Sequence, residues 1–352
     1  MRITFIAAGL AGGGAERVVS ELATEFVDTG NDVSVIMIGS KERTYHVSEK
    51  VQVIDCADKY AVPGVGFVRR VQKIRKVIRK IEPDVSVAFN TNVNVYAILS
   101  CMGLSCKLVI SERNDPVCYP KSKLARMVRS ILYPRADKFV FQTKEAQDFF
   151  SPKIRKRSTV IFNPLNPLLP YPHEGERTKR IVTACRLEPQ KNLKMAIDAF
   201  EMATVNHPEF TFEIYGKGNL RDELSDYIAG KGLQNRVILM GNSTQLYQDI
   251  LDAYAFVLSS DFEGMSNSML EAMALGIPTI STDYPSGGAR AVIRDGINGI
   301  LVPVEDTQAM SCAMLNLIEN PAFAEQLRNN GKKLRDDLAI EKIAREWTDF
   351  IK

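Results

Sequence analysis

The chain is 352 residues long, 45% hydrophobic and 25% charged, which is the composition of a globular protein with room for two domains. Its six cysteines show neither a CxxC pair nor a metal-ligand spacing, and its three histidines stand apart, so no His-based metal centre is expected and the thiols read as reduced and cytosolic. The net charge of +3 conceals an asymmetry: residues 1–170 carry 26 Lys and Arg against 16 Asp and Glu, residues 171–352 carry 19 against 26, and the basic half is expected to face an anionic partner.

Short apolar runs separated by helical patterns follow one another from the first residues. Strands are predicted at 3–8, 33–38, 51–54, 85–89, 108–110, 139–141 and 160–162, with a helix at 16–27 among the intervening patterns. The first run begins directly after Met1 and Arg2, so no secretory leader is expected. Residues 85–106 carry no formal charge, yet Asn90, Thr91, Asn92 and Asn94 interrupt them, and burying those groups in lipid is costly. A breaker-rich stretch around Asn163-Pro164-Leu165-Asn166-Pro167 then reads as a linker. The rhythm resumes with strands at 181–185, 211–215, 237–240, 255–259, 279–281 and 299–302, and a helical tail from about 322 to 352. Such alternation implies parallel βαβ units, hence an α/β chain with two Rossmann-like domains facing a central cleft. The expected division is a basic N-terminal domain at 1–165, a linker at 166–178, a second domain at 179–335 and a terminal helix at 336–352 that could pack back on the first domain.

Ligands of open α/β sheets bind at the carboxyl ends of strands, so the residues there carry the chemistry. Glu263 and Glu271 bracket Gly264-Met265-Ser266-Asn267 between a buried-looking strand and an apolar helix. A turn that opens a helix offers free N–H groups and a positive dipole end, which suits phosphate. The two carboxylates suit hydroxyls of ribose and hexose, and a nucleotide-sugar has both. Arg186 and Lys191 follow the first strand of the second domain, where two cations could balance a diphosphate. Gly12-Gly13-Gly14 after the first strand lets backbone approach a ligand, although neither the dinucleotide pattern GxGxxG nor a phosphate loop fits. Gly216, and Met240 with Asn242, end two further strands, and Ser286-Gly287-Gly288 is another turn near the same rim. Each alone is more often a plain turn than a site.

Residues 67–81 differ in kind. Phe67, Val71, Ile74, Ile78 and Ile81 recur at helical spacing among seven cations and no acid, a basic amphipathic helix. Basic clusters at 121–129 and 153–157 resemble it. An anionic membrane surface attracts such segments by about 1 kcal/mol per basic residue. The expected setting is therefore the cytoplasm, with peripheral attachment to the inner face of the cell membrane. Nucleic acid is less favoured, because no aromatic residues interleave for base stacking.

Together these residues resemble the retaining glycosyltransferases of family four, which have the GT-B fold. Gly13-Gly14-Ala15-Glu16-Arg17 looks like the opening of bacterial polysaccharide members. Arg186 and Lys191 are similar to the family's diphosphate-contacting pair, and Glu263 with Glu271 matches its E-x7-E motif. Asp295-Gly296-Ile297-Asn298-Gly299 resembles its late strand entry. The resemblance implies transfer of a hexose or N-acetylhexosamine from a UDP-sugar to a lipid-linked or growing oligosaccharide, with no metal and no cofactor beyond the sugar donor. It implies that Glu263 contacts donor-sugar hydroxyls, Glu271 holds ribose, Gly264 to Asn267 present backbone, and Arg186 and Lys191 stabilise the departing diphosphate. Gly13 and Gly14 would let the first domain close on the donor. Many members place a histidine where Arg113 stands here. Arg113 is then a candidate for a catalytic charge near phosphate, or for a pair with Glu112 or Asp115. Two other classes fit the same residues less closely: a nucleotide-sugar epimerase of this fold, and a non-catalytic basic binding protein.

Overall fold

The computed structural model describes residues 1–39, 43–57 and 65–352, and the chain divides into two compact units, Met1–Pro164 with Leu338–Lys352, and Leu165–Asp337. The first unit is built on a parallel sheet of β1 (Arg2–Ala7), β2 (Asp32–Met37), β3 (Gln52–Asp55), β4 (Val85–Phe89), β5 (Lys107–Ser111), β6 (Lys138–Phe141) and β7 (Ser158–Val160). Its strand order is β3-β2-β1-β4-β5-β6-β7. The helices of this half are α1 (Gly14–Asp28), α2 (Val65–Ile81), α3 (Thr91–Cys101), α4 (Lys123–Leu132), α5 (Lys144–Asp148) and α6 (Pro152–Arg155). The second unit holds β8 (Arg180–Ala184), β9 (Thr211–Tyr215), β10 (Val237–Gly241), β11 (Ala255–Leu258), β12 (Thr279–Thr282) and β13 (Ile300–Val302), in the order β10-β9-β8-β11-β12-β13. Around that sheet lie α7 (Leu193–Ala203), α8 (Arg221–Gly230), α9 (Leu246–Ile250), α10 (Asn267–Ala274), α11 (Thr307–Glu319), α12 (Pro321–Gly331) and α13 (Leu334–Asp337), and α14 (Ile340–Ile351) returns to the first unit.

Both sheets are covered on two faces, so their central strands are apolar throughout rather than alternating: every residue of β4 and of β11 is buried. Helix starts use local chemistry. Ser122 caps α4 by accepting from the Ala125 N–H, and Asp306 caps α11 by accepting from the Ala309 N–H at 2.8 Å. The first unit's core runs through stacked rings, Phe26 on Phe5 at 5.9 Å and Phe89 on Trp347 at 5.5 Å. Trp347 lies on α14 and is fully buried, so the terminal helix completes this core. Lys107 and Lys138 fasten its end by donating to the carbonyls of Lys352 and Phe350.

Three readings shift. The strand expected at 160–162 lies at Ser158–Val160, because its ladder with β6 begins at Phe139 opposite Ser158 and the chain leaves the sheet before Pro164, which has no N–H to give. The helical tail is not continuous but breaks into α12, α13 and α14. The uncharged stretch 85–106 is β4, α3 and a turn, and Asn94 donates its buried amide to the Ser111 carbonyl and the Tyr133 hydroxyl. Among the described residues no helix is long and apolar enough to cross a membrane.

Candidate active site

The order of the second sheet places its topological switch point between β8 and β11, where chain connections leave in opposite directions, the place at which open α/β sheets bind ligands. Lys191 follows β8 and Glu263 follows β11. Although 72 positions apart, they form an ion pair there, Lys191 Nζ on Glu263 Oε1, with side chains only 9% and 13% exposed. The two loops are laced together around this pair. Gln190 Nε2 donates to the Phe262 carbonyl at 2.8 Å and to Glu263 Oε2 at 3.1 Å. Ser260 Oγ donates to Glu263 Oε1 at 3.2 Å, Ser259 Oγ to the Lys191 carbonyl at 2.7 Å, and Asn192 Nδ2 to Asp261 at 2.7 Å. Burial alone would pull the Lys191 ammonium below its usual pKa, but the Glu263 carboxylate more than offsets this and holds it above. The lysine is therefore charged at neutral pH.

Arg186 is brought to the same loop but stands outward, 60% exposed and paired with Glu188 at 2.9 Å. Such an exposed pair is weak and can re-form with another anion. Glu263 leads through Gly264 and the buried Met265 and Ser266 into α10, whose N-cap, Ser266, makes no side-chain capping bond. Ser286 Oγ clamps this turn by donating to the carbonyls of Glu263 and Gly264. The clamp explains Gly288: a Cβ there would lie 1.9 Å from the Gly264 carbonyl oxygen. Ser286-Gly287-Gly288 is thus a support for the site loop.

Glu271 sits on α10, 6% exposed. Its Oε1 accepts from the Tyr247 hydroxyl at 3.0 Å, which in turn accepts from Asn166 Nδ2 at 3.1 Å. Farther along the same sheet edge, Gly216 at φ +135° brings its loop against the Cys185 carbonyl, 1.8 Å from where a Cβ would stand. Its N–H donates to the Gly241 carbonyl at 2.7 Å. Met240 and Asn242 are exposed at this end of β10, two strands from β8, so the structure aligns them with the Lys191 loop but does not bring them onto it.

The remaining candidates belong to the first unit. Gly13 and Gly14 follow β1 at that sheet's own switch point, between β1 and β4. The Glu16 side chain lies over Gly13, and Arg17 pairs with Glu21 at 3.4 Å on α1. Arg113 is buried beneath α14, its guanidinium 4.4 Å from the Phe89 ring centre and 5.5 Å from that of Trp347, donating to Asn163 Oδ1 at 2.8 Å. Neither ion pair considered for it forms. Glu112 accepts instead from Thr91 and Tyr133, and Asp115 from backbone N–H groups. Burial lowers the Arg113 pKa to about 9, against the opposing pull of Glu112. Sequence reasoning missed Gln190 and Ser260, which flank residues it selected, and the pair Tyr247 and Asn166, which no motif or spacing marks. Among the described residues no three His, Cys, Asp or Glu side chains converge as a metal-binding group.

Two family models divide this chain between them: "Glycosyl transferases group 1" matches residues 172–334 and "Glycosyltransferase Family 4" matches residues 12–167. Among curated proteins, a Campylobacter jejuni GalNAc-alpha-(1->4)-GalNAc-alpha-(1->3)-diNAcBac-PP-undecaprenol alpha-1,4-N-acetyl-D-galactosaminyltransferase is 27% identical over 100% of this chain and 98% of its own length. A second enzyme of that organism, an N-acetylgalactosamine-N,N'-diacetylbacillosaminyl-diphospho-undecaprenol 4-alpha-N-acetylgalactosaminyltransferase, is also 27% identical, over 97% of each chain. Among solved structures, Anabaena HepE in complex with UDP superposes with a TM-score of 0.83 at 20% identity over 99% of both chains, a likeness that shows the GT-B fold.

Proposed function

The chain belongs to the family-four type of GT-B glycosyltransferases, and from that premise we propose that it is a retaining hexosyl- or N-acetylhexosaminyltransferase that uses a UDP-sugar. The acceptor in this reading is a lipid-linked or growing oligosaccharide of bacterial surface polysaccharide synthesis. The observation that carries it is the Lys191–Glu263 pair at the switch point beside the start of α10. A diphosphate bound there meets Lys191, Arg186 and the N–H groups of Gly264 to Asn267. Ribose reaches Glu271, and the base lies along the edge toward Gly216, Met240 and Asn242. Glu263 is then free to exchange part of its bond with Lys191 for hydroxyls of the donor sugar.

The acceptor hydroxyl oxygen bonds to the anomeric carbon as the bond from that carbon to the diphosphate oxygen breaks. The electron pair leaves with UDP, and the acceptor proton passes to a phosphate oxygen on the same face, which retains the anomeric configuration. Lys191 and Arg186 act where charge develops, so their effect is on the barrier rather than on binding alone. The charge on the diphosphate is met by side chains and backbone, so turnover in EDTA is expected to equal turnover in Mg²⁺. The cations of α2 hold the enzyme at an anionic membrane surface.

The test is UDP release from a panel of UDP-sugars, with and without a polyprenyl-diphosphate-linked saccharide, for the wild type and for Glu263→Ala. Acceptor-dependent release that the substitution abolishes supports the proposal. Release unaffected by Glu263→Ala refutes the site. A new UDP-sugar formed without acceptor identifies an epimerase instead. The membrane reading is refuted if binding to anionic vesicles is unchanged when the α2 cations are replaced by Ser.

A further inference from the structure

One face of the first unit does not behave as an ordinary covering layer. A cavity of about 550 Å³ opens between α2, α3 and α4, with a largely apolar lining that includes Phe67, Val95, Tyr96, Leu124, Ala125 and Val128. Phe67 and Tyr96 form one wall, their ring centres 4.7 Å apart. Beside the opening, α4 turns an apolar stripe outward: Leu124, Met127 and Ile131 recur at helical spacing and are 64%, 54% and 53% exposed. An exposed apolar stripe leading into an apolar cavity is costly in water and marks a surface that meets something apolar.

The charges around the cavity say what that is. Arg70 lines it, its guanidinium 5.4 Å from the Tyr96 ring centre and donating to the Tyr96 hydroxyl. Lys121 and Lys123 bracket Ser122, another lining residue. Among the described residues, none of the cations of α2 has a carboxylate partner; Arg75 donates instead to the carbonyls of Ser100 and Met102. The basic cluster at 153–157 behaves differently, since Arg155 pairs with Asp148 and Arg157 donates to the Ala136 and Pro134 carbonyls. Arg70, Lys121 and Lys123 therefore supply positive charge beside this cavity, whereas Lys80, at the far end of α2, lines a separate one. The inner end of the cavity that Arg70 lines is formed by Ala8, Gly39 and Thr91, which follow β1, β2 and β4 at the carboxyl edge of the sheet. The cavity thus joins the exposed stripe of α4 to residues just past the ends of β1, β2 and β4.

We infer that this groove binds the isoprenoid chain of a polyprenyl-diphosphate-linked acceptor, with the diphosphate held by the neighbouring cations and the saccharide directed toward the strand ends. The inference rests on the lipid-linked reading of the acceptor given above. A single concave channel suits one chain, whereas a flat patch would suit a bilayer surface, and the charge flanking it complements an anionic head group.

The test uses the full chain and two substitutions. Ala125→Trp fills the groove. Leu124→Ser removes an apolar wall at an exposed position and keeps the test available should the first fail to fold, which a thermal melt reports. Calorimetry with geranylgeranyl diphosphate, pyrophosphate and geranylgeraniol reads binding without needing transfer. The wild type is expected to bind geranylgeranyl diphosphate at least about tenfold more tightly than pyrophosphate, with either substitution reducing that preference about tenfold. In transfer assays the KM for a polyprenyl-linked acceptor should rise about tenfold, with that for the same saccharide on a short water-soluble linker unchanged. Equal affinity for pyrophosphate and geranylgeranyl diphosphate would overturn the inference, as would a KM that rises for both acceptors. Loss of binding to plain phospholipid vesicles in parallel with loss of the acceptor would assign the groove to bilayer lipid and overturn it too. Chain binding that responds to both substitutions, with no transfer to either acceptor, would leave the groove standing and refute the transferase proposal.

Discussion

Removing the Lys191 ammonium perturbs two things that can be separated. Its partner Glu263 is nearly buried, and truncating one member of a buried ion pair costs about 3–5 kcal/mol because the other charge is left behind. Glu263 keeps donors from Gln190 at 3.1 Å and Ser260 at 3.2 Å, so the lower end, about 3 kcal/mol, is expected for Lys191→Ala in urea denaturation. Adding Glu263→Ala removes the stranded charge, and the double variant should recover most of that loss. Transfer should not recover. Losing one donor to a developing anion costs about 2.7–4 kcal/mol, or about 10²–10³-fold in turnover. Stability and UDP-sugar turnover measured across the wild type, both single variants and the double variant therefore follow different patterns. Turnover that returns in step with stability in the double variant would show the pair to be structural, and would refute its assignment to the leaving group.

Tyr247→Phe should weaken UDP binding about three- to tenfold by calorimetry, since the lost hydroxyl bond to Glu271 is worth about 1 kcal/mol, with little change in melting temperature; unchanged affinity would remove Tyr247 from the ribose end of the site. Gly288→Ala drives a methyl group against the Gly264 carbonyl and should cost about 1–3 kcal/mol by denaturation, with weaker UDP binding; normal affinity would show the clamp to be dispensable. Burial raises the Glu112 pKa above its ordinary 4.5, so the folded state binds that proton more tightly than the unfolded chain. Its contribution is complete below pH 4.5 and is lost as pH rises through the raised value, so Glu112→Gln should gain stability relative to the wild type as pH rises above 4.5. A difference independent of pH would contradict this. The Lys191 pKa is raised as well, so its stabilising charge is complete below about 10.4 and is lost only at higher pH, and turnover should show no basic limb from it below about pH 10.

The sheets were legible because parallel strands buried on both faces read as unbroken apolar runs, and β4 and β9 lie at their expected limits. Edges were less legible where pairing rather than hydropathy decides, as at β7. Lys191 and Glu263 could be selected because both follow strands, and the strand order that joins them follows from the usual α/β topology. Other arrangements leave no trace in one dimension. The seat of Arg113 needs Asn163, fifty positions away, and Trp347 from the last helix. The relay from Asn166 through Tyr247 to Glu271 joins three separate segments at no fixed spacing. The cations of α2 were visible in the sequence, but the apolar face expected there is only partly buried. Ile74 and Ile78 enter the core, whereas Phe67 is 37% exposed and lines the groove with Tyr96. Helical periodicity alone cannot distinguish a buried face from one left open toward a ligand.

A crystal structure of the chain soaked with UDP tests the central claim most directly. The diphosphate is expected within hydrogen-bonding distance of Lys191, Arg186 and the first N–H groups of α10, with the ribose hydroxyls on Glu271. Density for UDP elsewhere, with the Lys191–Glu263 pair undisturbed, would contradict it.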